Sequence, residues 1–290
     1  MSDDRRLTLA LALTKGIGAK SIVRIATRNT LLGRSSTEFR ALPVEALTED
    51  YGLTRAAALA WTIGHRETWD EAGTQLDELA QHGATLVTAA DASYPTTLEA
   101  FDPDPPGVLY LYGNRRLLEA KTFTVLASRD APPAALEAAE SLAEQGVLAG
   151  EALVGGHDTP AYQRTAVVPL RWGAPRILVL DRGFYAALGE DLRQEPFRTA
   201  RLWRFQFDPG TDLVLSAVPP RASYHRNANR LRDRLVGGLA ARMDVVWSSP
   251  GGNVDSLARR ALAAGRPVRV LDLGPNAREW RHLGATMIDP

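Results

Sequence analysis

A chain of 290 residues, 45% of them hydrophobic, can bury a full core and is more typical of two domains than of one. Its 34 lysines and arginines balance its 34 aspartates and glutamates, so no global field attracts it to nucleic acid or a membrane. The sequence has no cysteine, which excludes disulfides, thiolate catalysis and cysteine-ligated zinc. No apolar run reaches the roughly 18 residues of a membrane span and the N-terminus lacks a signal-peptide pattern, so we expect a cytoplasmic protein without membrane contact.

The first part of the chain has a helical pattern. Apolar residues recur at helical spacing from Leu7 to about Gly83, with breaks at glycines and at Pro43. The helix that passes through Trp69 is expected to end at Gly83 in a left-handed cap, and residues 84–88 are expected to form a strand. We therefore predict a small helical domain over residues 1–83.

Residues 14–20 lie between two of these predicted helices. Gly16 and Gly18 allow the backbone to approach a phosphate, and Lys15 and Lys20 suit an anion. The segment resembles the hairpin of a helix-hairpin-helix motif, but a tight turn that only packs two helices has the same pattern. These four residues are candidate phosphate contacts.

The second part of the chain alternates short apolar runs with helical stretches. The predicted strands are residues 123–127, 147–149, 176–180, 212–216, 244–248 and 267–272. This alternation predicts an α/β fold with a Rossmann-like, mainly parallel sheet, helices on both faces and a binding crevice at the carboxyl ends of the strands. We assign this domain to residues 84–290.

One run of motifs connects the two parts. It consists of Ser93-Tyr94-Pro95 through Leu98, then Asp104-Pro105-Pro106-Gly107-Val108-Leu109-Tyr110, then Gly113-Asn114. In order and length it resembles the start of the central domain in the DNA-processing protein A family, DprA or Smf. The resemblance extends from the hairpin at Gly16 to residues 284–286. It implies a sheet domain that binds single-stranded DNA, and no C-terminal winged helix is expected.

The resemblance also selects residues after the first strand of that sheet. Ser128 and Arg129 match the serine and arginine of the family's V-G-S-R, where the backbone and the arginine meet a phosphate, and Ala127 replaces its glycine. An arginine can form a fork to phosphate from such a position. The alternative is a surface arginine at a helix start, since a helix over residues 132–145 is expected to follow.

A glycine-rich loop follows in residues 149–162. It resembles the family's S-G-x-A-x-G-I-D-x-x-A-H, and its candidate phosphate contacts are Gly150, Gly155, Gly156 and Asp158. Ala149, Glu151 and Tyr162 depart from that pattern, which indicates an altered pocket because a carboxylate facing inward repels an anion. His157 has no neighbours at ligand spacing and is expected in a solvated loop.

The most basic segment of the chain lies near residue 230. Arg226, Arg230 and Arg234 are spaced to form one stripe on a helix, where like charges lower stability unless an anion meets them. Residues 232–240 resemble the family's R-N-R-I-I-A-G-L-S, which reaches the DNA channel, so Arg232 is added to the candidates, with Asp233 in place of the asparagine. A solvated helix face is the alternative.

Two further segments carry candidate contacts. Gly251 and Gly252 follow the predicted strand 244–248, where the family has S-G-S-L and where Trp247 replaces a glutamate. They also resemble the P-G-G-x-G-T loop of lysine-decarboxylase-like nucleotide phosphoribohydrolases, whose threonine and catalytic glutamate are missing here. Within residues 198–207, aromatic residues alternate at strand spacing among arginines, which predicts a buried face or, alternatively, a platform for stacked bases.

The residues and the resemblance together predict a divergent DprA-like protein. We expect no enzyme activity, no metal and no cofactor, and single-stranded DNA bound in an arginine-lined groove. The resemblance implies a role in DNA uptake and recombination, a RecA-type recombinase as a partner, and a homodimer. Two alternatives remain: a protein that binds or hydrolyses a small nucleotide-derived ligand in the Rossmann pocket, and a purely structural interaction protein.

Overall fold

The computed structural model describes residues 3–225, 227–272 and 277–288, with the side chains of 277 and 278 left aside. The chain forms two compact units, Met1–Tyr94 with Pro103–Tyr110, and Pro95–Asp102 with Leu111–Pro290. The expected domain boundary at Gly83 stays a prediction. None of the described helices is both long and apolar enough to cross a bilayer.

The first unit is mainly helical. Gly83, with φ 69°, makes the predicted left-handed turn after its longest helix. Phe39, Tyr51 and Trp61 are fully buried and form part of its core. Its elements are α1 (Asp3–Leu13), α2 (Ala19–Leu32), α3 (Ser36–Arg40), α4 (Val44–Glu49), α5 (Arg55–Gln81), β1 (Thr85–Thr88) and the first half of β2 (Val108–Gly113).

The second unit alternates strands and helices as the sequence predicts. Short 3₁₀ turns occur at Arg115–Glu119 and Thr199–Leu202. Its elements are α6 (Thr96–Phe101), β3 (Thr122–Ala127), α7 (Pro133–Leu148), β4 (Ala152–Gly155), α8 (Pro160–Thr165), α9 (Val168–Arg171), β5 (Arg176–Leu180), α10 (Phe184–Leu188), β6 (Leu213–Ser216), α11 (Ala228–Leu239), β7 (Arg242–Trp247), α12 (Asn253–Ala263), β8 (Val268–Leu271), α13 (Ala277–His282) and β9 (Thr286–Ile288).

The sheet of the second unit confirms the Rossmann-like prediction. Its strand order is β2-β6-β5-β4-β3-β7-β8-β9, and the neighbours from β6 to β9 are parallel. The chain moves outward from β3 through β4, β5 and β6, then returns to the other side of β3 with β7. Such a reversal of strand order opens a crevice at the carboxyl ends of the strands. The topology therefore places a candidate site after β3 and β7.

One predicted strand is wrong. Residues 147–149 belong to the end of α7 and its cap, and the strand is Ala152–Gly155. The helix expected over residues 132–145 continues through Gly146, which provides room for the ring of Phe123; a Cβ at Gly146 would approach that ring to 2.3 Å. The chain turns at Gly150, whose φ is 78°.

The prediction that the aromatic residues at positions 203–207 form one buried face of a strand is also wrong. This stretch follows the 3₁₀ turn Thr199–Leu202 and forms no strand. Phe207 is buried as expected, but Trp203 and Phe205 are 55% and 77% exposed. The alternation of aromatic residues reflects side chains on either side of an irregular segment, only one of which packs inward.

A buried charge cluster fixes this segment to the sheet. Arg176, the first residue of β5, donates from Nε to Asp212 at 2.8 Å and from Nη2 to Glu195 at 2.5 Å. All three side chains are at most 1% exposed. Arg204 also pairs with Asp212, which directly precedes β6. The connection between α10 and β6 is therefore anchored at the amino ends of two strands.

Candidate nucleic-acid interface

A cavity of about 340 Å³ lies at the carboxyl edge of the sheet, at the reversal of strand order. Loops after β3 and β7 and the first turns of α11 and α12 form its walls. The lining residues are Ala127, Ser128, Arg129, Asp130, Thr159, Asn229, Arg230, Arg232, Asp233, Ser249, Gly252, Asn253 and Val254.

Hydrogen bonds join the two loops that border this cavity. The Ser128 amide donates to the carbonyl of Trp247 at 2.9 Å, and the Ser249 amide donates to Ser128 Oγ at 3.0 Å. The Ser249 hydroxyl donates to Asp130 Oδ1 at 2.6 Å, and this bond holds the pKa of Asp130 below its usual value. Ser128 therefore positions the loop that carries Arg129.

Arg129 and Arg230 are exposed at the cavity, one after β3 and one on α11. Within the described part of the chain, neither guanidinium has a hydrogen bond or an ion pair. A guanidinium matches the geometry of phosphate oxygens and keeps its charge at any physiological pH. These two side chains are the groups of the cavity best suited to meet an anion.

Asp233 places a carboxylate beside these arginines. Its Oδ1 accepts from the Tyr162 hydroxyl at 3.1 Å and from Arg232 Nε at 3.0 Å, and its Oδ2 accepts from Asn253 Nδ2 at 2.7 Å. Burial raises the pKa of Asp233 above its usual value, although Arg232, Tyr162 and Arg129 act in the opposite direction. Two departures from the family pattern, Tyr162 and Asp233, are thus hydrogen-bonded partners.

Arg232 is held inside the protein. Its side chain is 1% exposed, and its Nη1 lies 3.1 Å from Asp181 Oδ2 and also bonds the carbonyl of His157. The charge of Arg232 is therefore balanced by Asp181 and Asp233. Its role in this structure is to orient the Asp233 carboxylate.

Two members of the predicted arginine stripe, Arg230 and Arg234, do not share one surface in the structure. The third, Arg226, lies outside the described residues. Arg230 lies at the cavity, whereas Arg234 pairs with Asp102 at 2.5 Å beside the end of α6. Arg230 therefore stays open at the cavity, whereas Arg234 is paired where α11 packs against α6.

The glycine-rich loop is divided between the two ends of β4. Gly150 precedes β4 and lies at its amino end, away from the cavity, and the neighbouring Glu151 pairs there with Arg242 at 2.5 Å. Gly155 and Gly156 are at the carboxyl end. A Cβ on Gly156 would lie 2.5 Å from the Tyr162 ring and 2.9 Å from Arg232, whereas one on Gly155 meets nothing within 4 Å.

The next two residues of this loop differ in exposure. Asp158 is exposed with φ 80°, a left-handed conformation. The expectation that His157 is solvated is wrong: its ring lies 5.3 Å from that of Phe197, and burial lowers its pKa. His157 is therefore half-buried against Phe197, whereas Asp158 is exposed.

The remaining candidates lie in two places. Gly251, with φ 67°, and Gly252 form the turn into α12, and Gly252 and the first two residues of that helix line the cavity. In the first unit, Gly16 has φ 85° and Gly18 is the N-cap residue that precedes α2, while Lys15 and Lys20 are exposed. These four hairpin residues belong to the first unit, whereas the cavity belongs to the second.

Sequence reasoning missed several polar residues of the cavity. Asp130, Thr159, Asn229, Ser249 and Asn253 line it without matching a motif. Their position directly after β3 and β7, or in the first turn of a helix, was the available signal. Among the described residues, no group of three or more histidine, cysteine or acidic side chains is arranged to hold a metal ion.

The fold and the site define a class: a Rossmann-like protein with an arginine-bearing cavity where the strand order reverses. A family model described as DNA recombination-mediator protein A matches residues 85–284, well over half of the sequence. The chain therefore belongs to the DNA recombination-mediator protein A family, as the sequence motifs predict.

Solved structures give the same assignment of fold. DNA processing protein A from Streptococcus pneumoniae is 16% identical, with a TM-score of 0.74 over 99% of this chain and 95% of that chain. DNA processing protein A from Helicobacter pylori, a structure described for its single-stranded DNA binding mode, is 18% identical, with a TM-score of 0.54 over 71% of this chain and 90% of that chain. No curated protein matches the sequence.

Proposed function

We propose that this protein binds single-stranded DNA at the carboxyl edge of its sheet and does not cleave it. The observation that carries the proposal is the pair Arg129 and Arg230, two exposed arginines on the cavity whose side chains have no hydrogen bond or ion pair among the described residues. Membership of a recombination-mediator family supports a role in DNA uptake and recombination. We include in the proposal a RecA-type recombinase as the partner to be loaded, and a homodimer.

The site chemistry supports backbone recognition. Arginine contacts to phosphate fix the position of a strand and carry no sequence information, so binding is expected to be largely independent of sequence. The loop of Arg129 is held by Ser128 and Ser249, which limits the conformational entropy lost on binding. The carboxylate of Asp233 repels phosphate from the floor of the cavity and so favours a strand that passes over its mouth.

The salt dependence of binding measures the number of phosphate contacts. Each phosphate contact to a single strand contributes about −0.7 to the log–log salt slope. Two contacts, from Arg129 and Arg230, predict a slope of about −1.4. The hairpin residues Lys15 and Lys20 are proposed as a further phosphate contact, which would make the slope steeper and would be removed by their joint change to alanine.

Fluorescence anisotropy with a labelled thymidine oligomer tests the proposal. Arg129→Ala and Arg230→Ala should each weaken binding by about 1.5–3 kcal/mol, the range for hydrogen bonds to charged groups. Arg66→Ala is the matched control, because Arg66 is an exposed arginine of α5 outside the cavity. Equal affinities for all three variants, or no binding by the wild type at low salt, would contradict the proposal.

A nucleotide-derived small molecule is the second candidate ligand. The cavity volume of about 340 Å³ favours it, because small-molecule pockets measure about 300–1,000 Å³. Calorimetry with a panel of mononucleotides tests this candidate. A mononucleotide that binds wild type and fails to bind Arg129→Ala, with no affinity for the oligomer, would replace the DNA proposal.

A further inference from the structure

A short segment of the second unit presents large apolar side chains to solvent. Between α10 and β6, Leu202 is 88% exposed, Trp203 55% and Phe205 77%. Phe197, Ala200 and Phe207 of the same stretch are buried. We refer to Trp203 and Phe205 together as the aromatic platform.

The aromatic platform is held by a rigid support. Arg201 donates from Nε and Nη2 to the carbonyl of Glu195, at 3.1 Å and 3.0 Å, and the Phe207 amide donates to the carbonyl of Arg193 at 2.8 Å. Arg204, between the two aromatic residues, is tied to the buried Asp212. The exposed rings therefore lose little backbone entropy when they meet a ligand.

The charges around the platform identify the kind of ligand. The guanidinium of Arg171, which is paired with Glu140 at 2.5 Å, lies over the Trp203 ring, 5.5 Å from its centroid. Arg193 and Arg198 are exposed, and neither side chain has a hydrogen bond or ion pair within the part of the chain that the structure describes. Within residues 191–206, one acidic side chain, Asp191, is exposed beside these arginines. Open aromatic rings bordered by arginines suit a polyanion with flat aromatic groups.

We propose that Trp203 and Phe205 stack bases of single-stranded DNA, with Arg193 and Arg198 beside the phosphates of the same stretch. The inference rests on the proposed function and adds a base-stacking contact apart from the cavity. The platform is anchored through Arg204 at the amino end of β6, whereas Ser128 and Ser249 follow the carboxyl ends of β3 and β7. A strand that uses both sites must extend beyond the cavity.

Two labelled probes of equal length, about 20 nucleotides, separate stacking from phosphate binding. One is a thymidine oligomer, and the other has the same backbone with abasic sites throughout. The double variant Trp203→Ala/Phe205→Ala should bind the thymidine oligomer at least about fivefold more weakly than wild type. Its affinity for the abasic probe should be unchanged. Arg129→Ala should weaken binding of both probes.

Two further variants define the contact. Leu202→Ala should leave both affinities unchanged, because a leucine has no ring face for a base, and Trp203→Phe should retain most of the thymidine affinity. Melting temperatures should match wild type because both rings are exposed. If Leu202→Ala lowers the affinity for the thymidine oligomer as much as the double variant does, the segment is an apolar protein contact and the inference is overturned. A change from dimer to monomer in the double variant would overturn it as well.

The outcomes distinguish this inference from the proposed function. Thymidine binding that survives in the double variant but is lost in Arg129→Ala overturns the platform and leaves the cavity proposal in place. Binding lost in the double variant but kept in Arg129→Ala overturns the cavity proposal and leaves the platform. Failure of wild type to bind either probe overturns both.

Discussion

Replacement of Gly156 by alanine tests whether close packing at the end of β4 shapes the cavity. The new methyl group would lie 2.5 Å from Tyr162 Cε2 and 2.9 Å from Cδ and Nε of Arg232. Both side chains hold the carboxylate of Asp233, so a shift of either one loosens that group. Over-packing of a well-filled site costs about 1–3 kcal/mol. We expect Gly156→Ala to lower the free energy of unfolding by that amount.

The adjacent glycine supplies a matched control. A methyl group on Gly155 meets no atom within 4 Å. Because alanine also lowers the entropy of the unfolded chain, Gly155→Ala should be neutral or should stabilise the protein by up to about 1 kcal/mol. The two substitutions are one position apart, and only the methyl group at position 156 meets neighbouring atoms. Their comparison therefore isolates the effect of packing.

Urea unfolding followed by far-ultraviolet circular dichroism measures the difference. A gap of about 2 kcal/mol moves the midpoint by roughly 1 M, because the dependence on urea is about 1–3 kcal/mol per molar. Gly155→Ala should weaken binding of the thymidine oligomer only where DNA approaches this glycine. Equal unfolding free energies for the two variants would refute the packing argument.

Three other variants test charges described above. Asp212→Ala removes one of the two buried carboxylates that balance Arg176 and Arg204 and leaves the cluster with one uncompensated positive charge, so it should lower the free energy of unfolding in urea by about 3–5 kcal/mol, against at most about 1 kcal/mol for Asp272→Ala, whose partner Arg281 is exposed. Because the pKa of Asp233 is raised, lowering the pH towards that pKa should neutralise the carboxylate and strengthen DNA binding, measured by anisotropy at constant salt. Asp233→Asn should remove this pH dependence. The same pH dependence in wild type and in Asp233→Asn would contradict the role given to this carboxylate. Burial lowers the pKa of His157, so its unfolded form takes up a proton first and stability is lost as the pH falls below about 6.5; the melting temperature of His157→Phe should therefore fall less than that of wild type between neutral and mildly acidic pH.

The fold could be predicted from the sequence because its strands are short, buried apolar runs and its helices occupy the spaces between them. The prediction failed at residues 147–149, where an apolar helix end next to glycines has the composition of a strand. Whether Gly146 ends a helix or makes room for Phe123 depends on a contact with another strand, which local sequence does not contain.

Part of the candidate site could be predicted because the order of strands and helices in the sequence indicates where the crevice lies. Ser128 and Arg129 follow a strand next to the reversal of strand order, so topology places them at the crevice. The arginines of α11 were not separable from sequence, because their directions depend on what the helix packs against. Asp181 neutralises Arg232 and Asp102 neutralises Arg234, and both carboxylates are distant in the sequence.

The pairing of arginines inside this protein has a kinetic consequence. Many guanidinium groups near the sheet are matched by carboxylates within a few ångströms, among them Arg176, Arg232, Arg234, Arg242 and Arg269. Such pairs are dipoles whose fields decay quickly, and the formal net charge of the chain is zero. A polyanion approaching from solution is therefore hardly steered. Association should proceed at the unsteered rate of about 10⁵–10⁷ M⁻¹ s⁻¹, and the lifetime of each complex should be set by dissociation from a few short-range contacts.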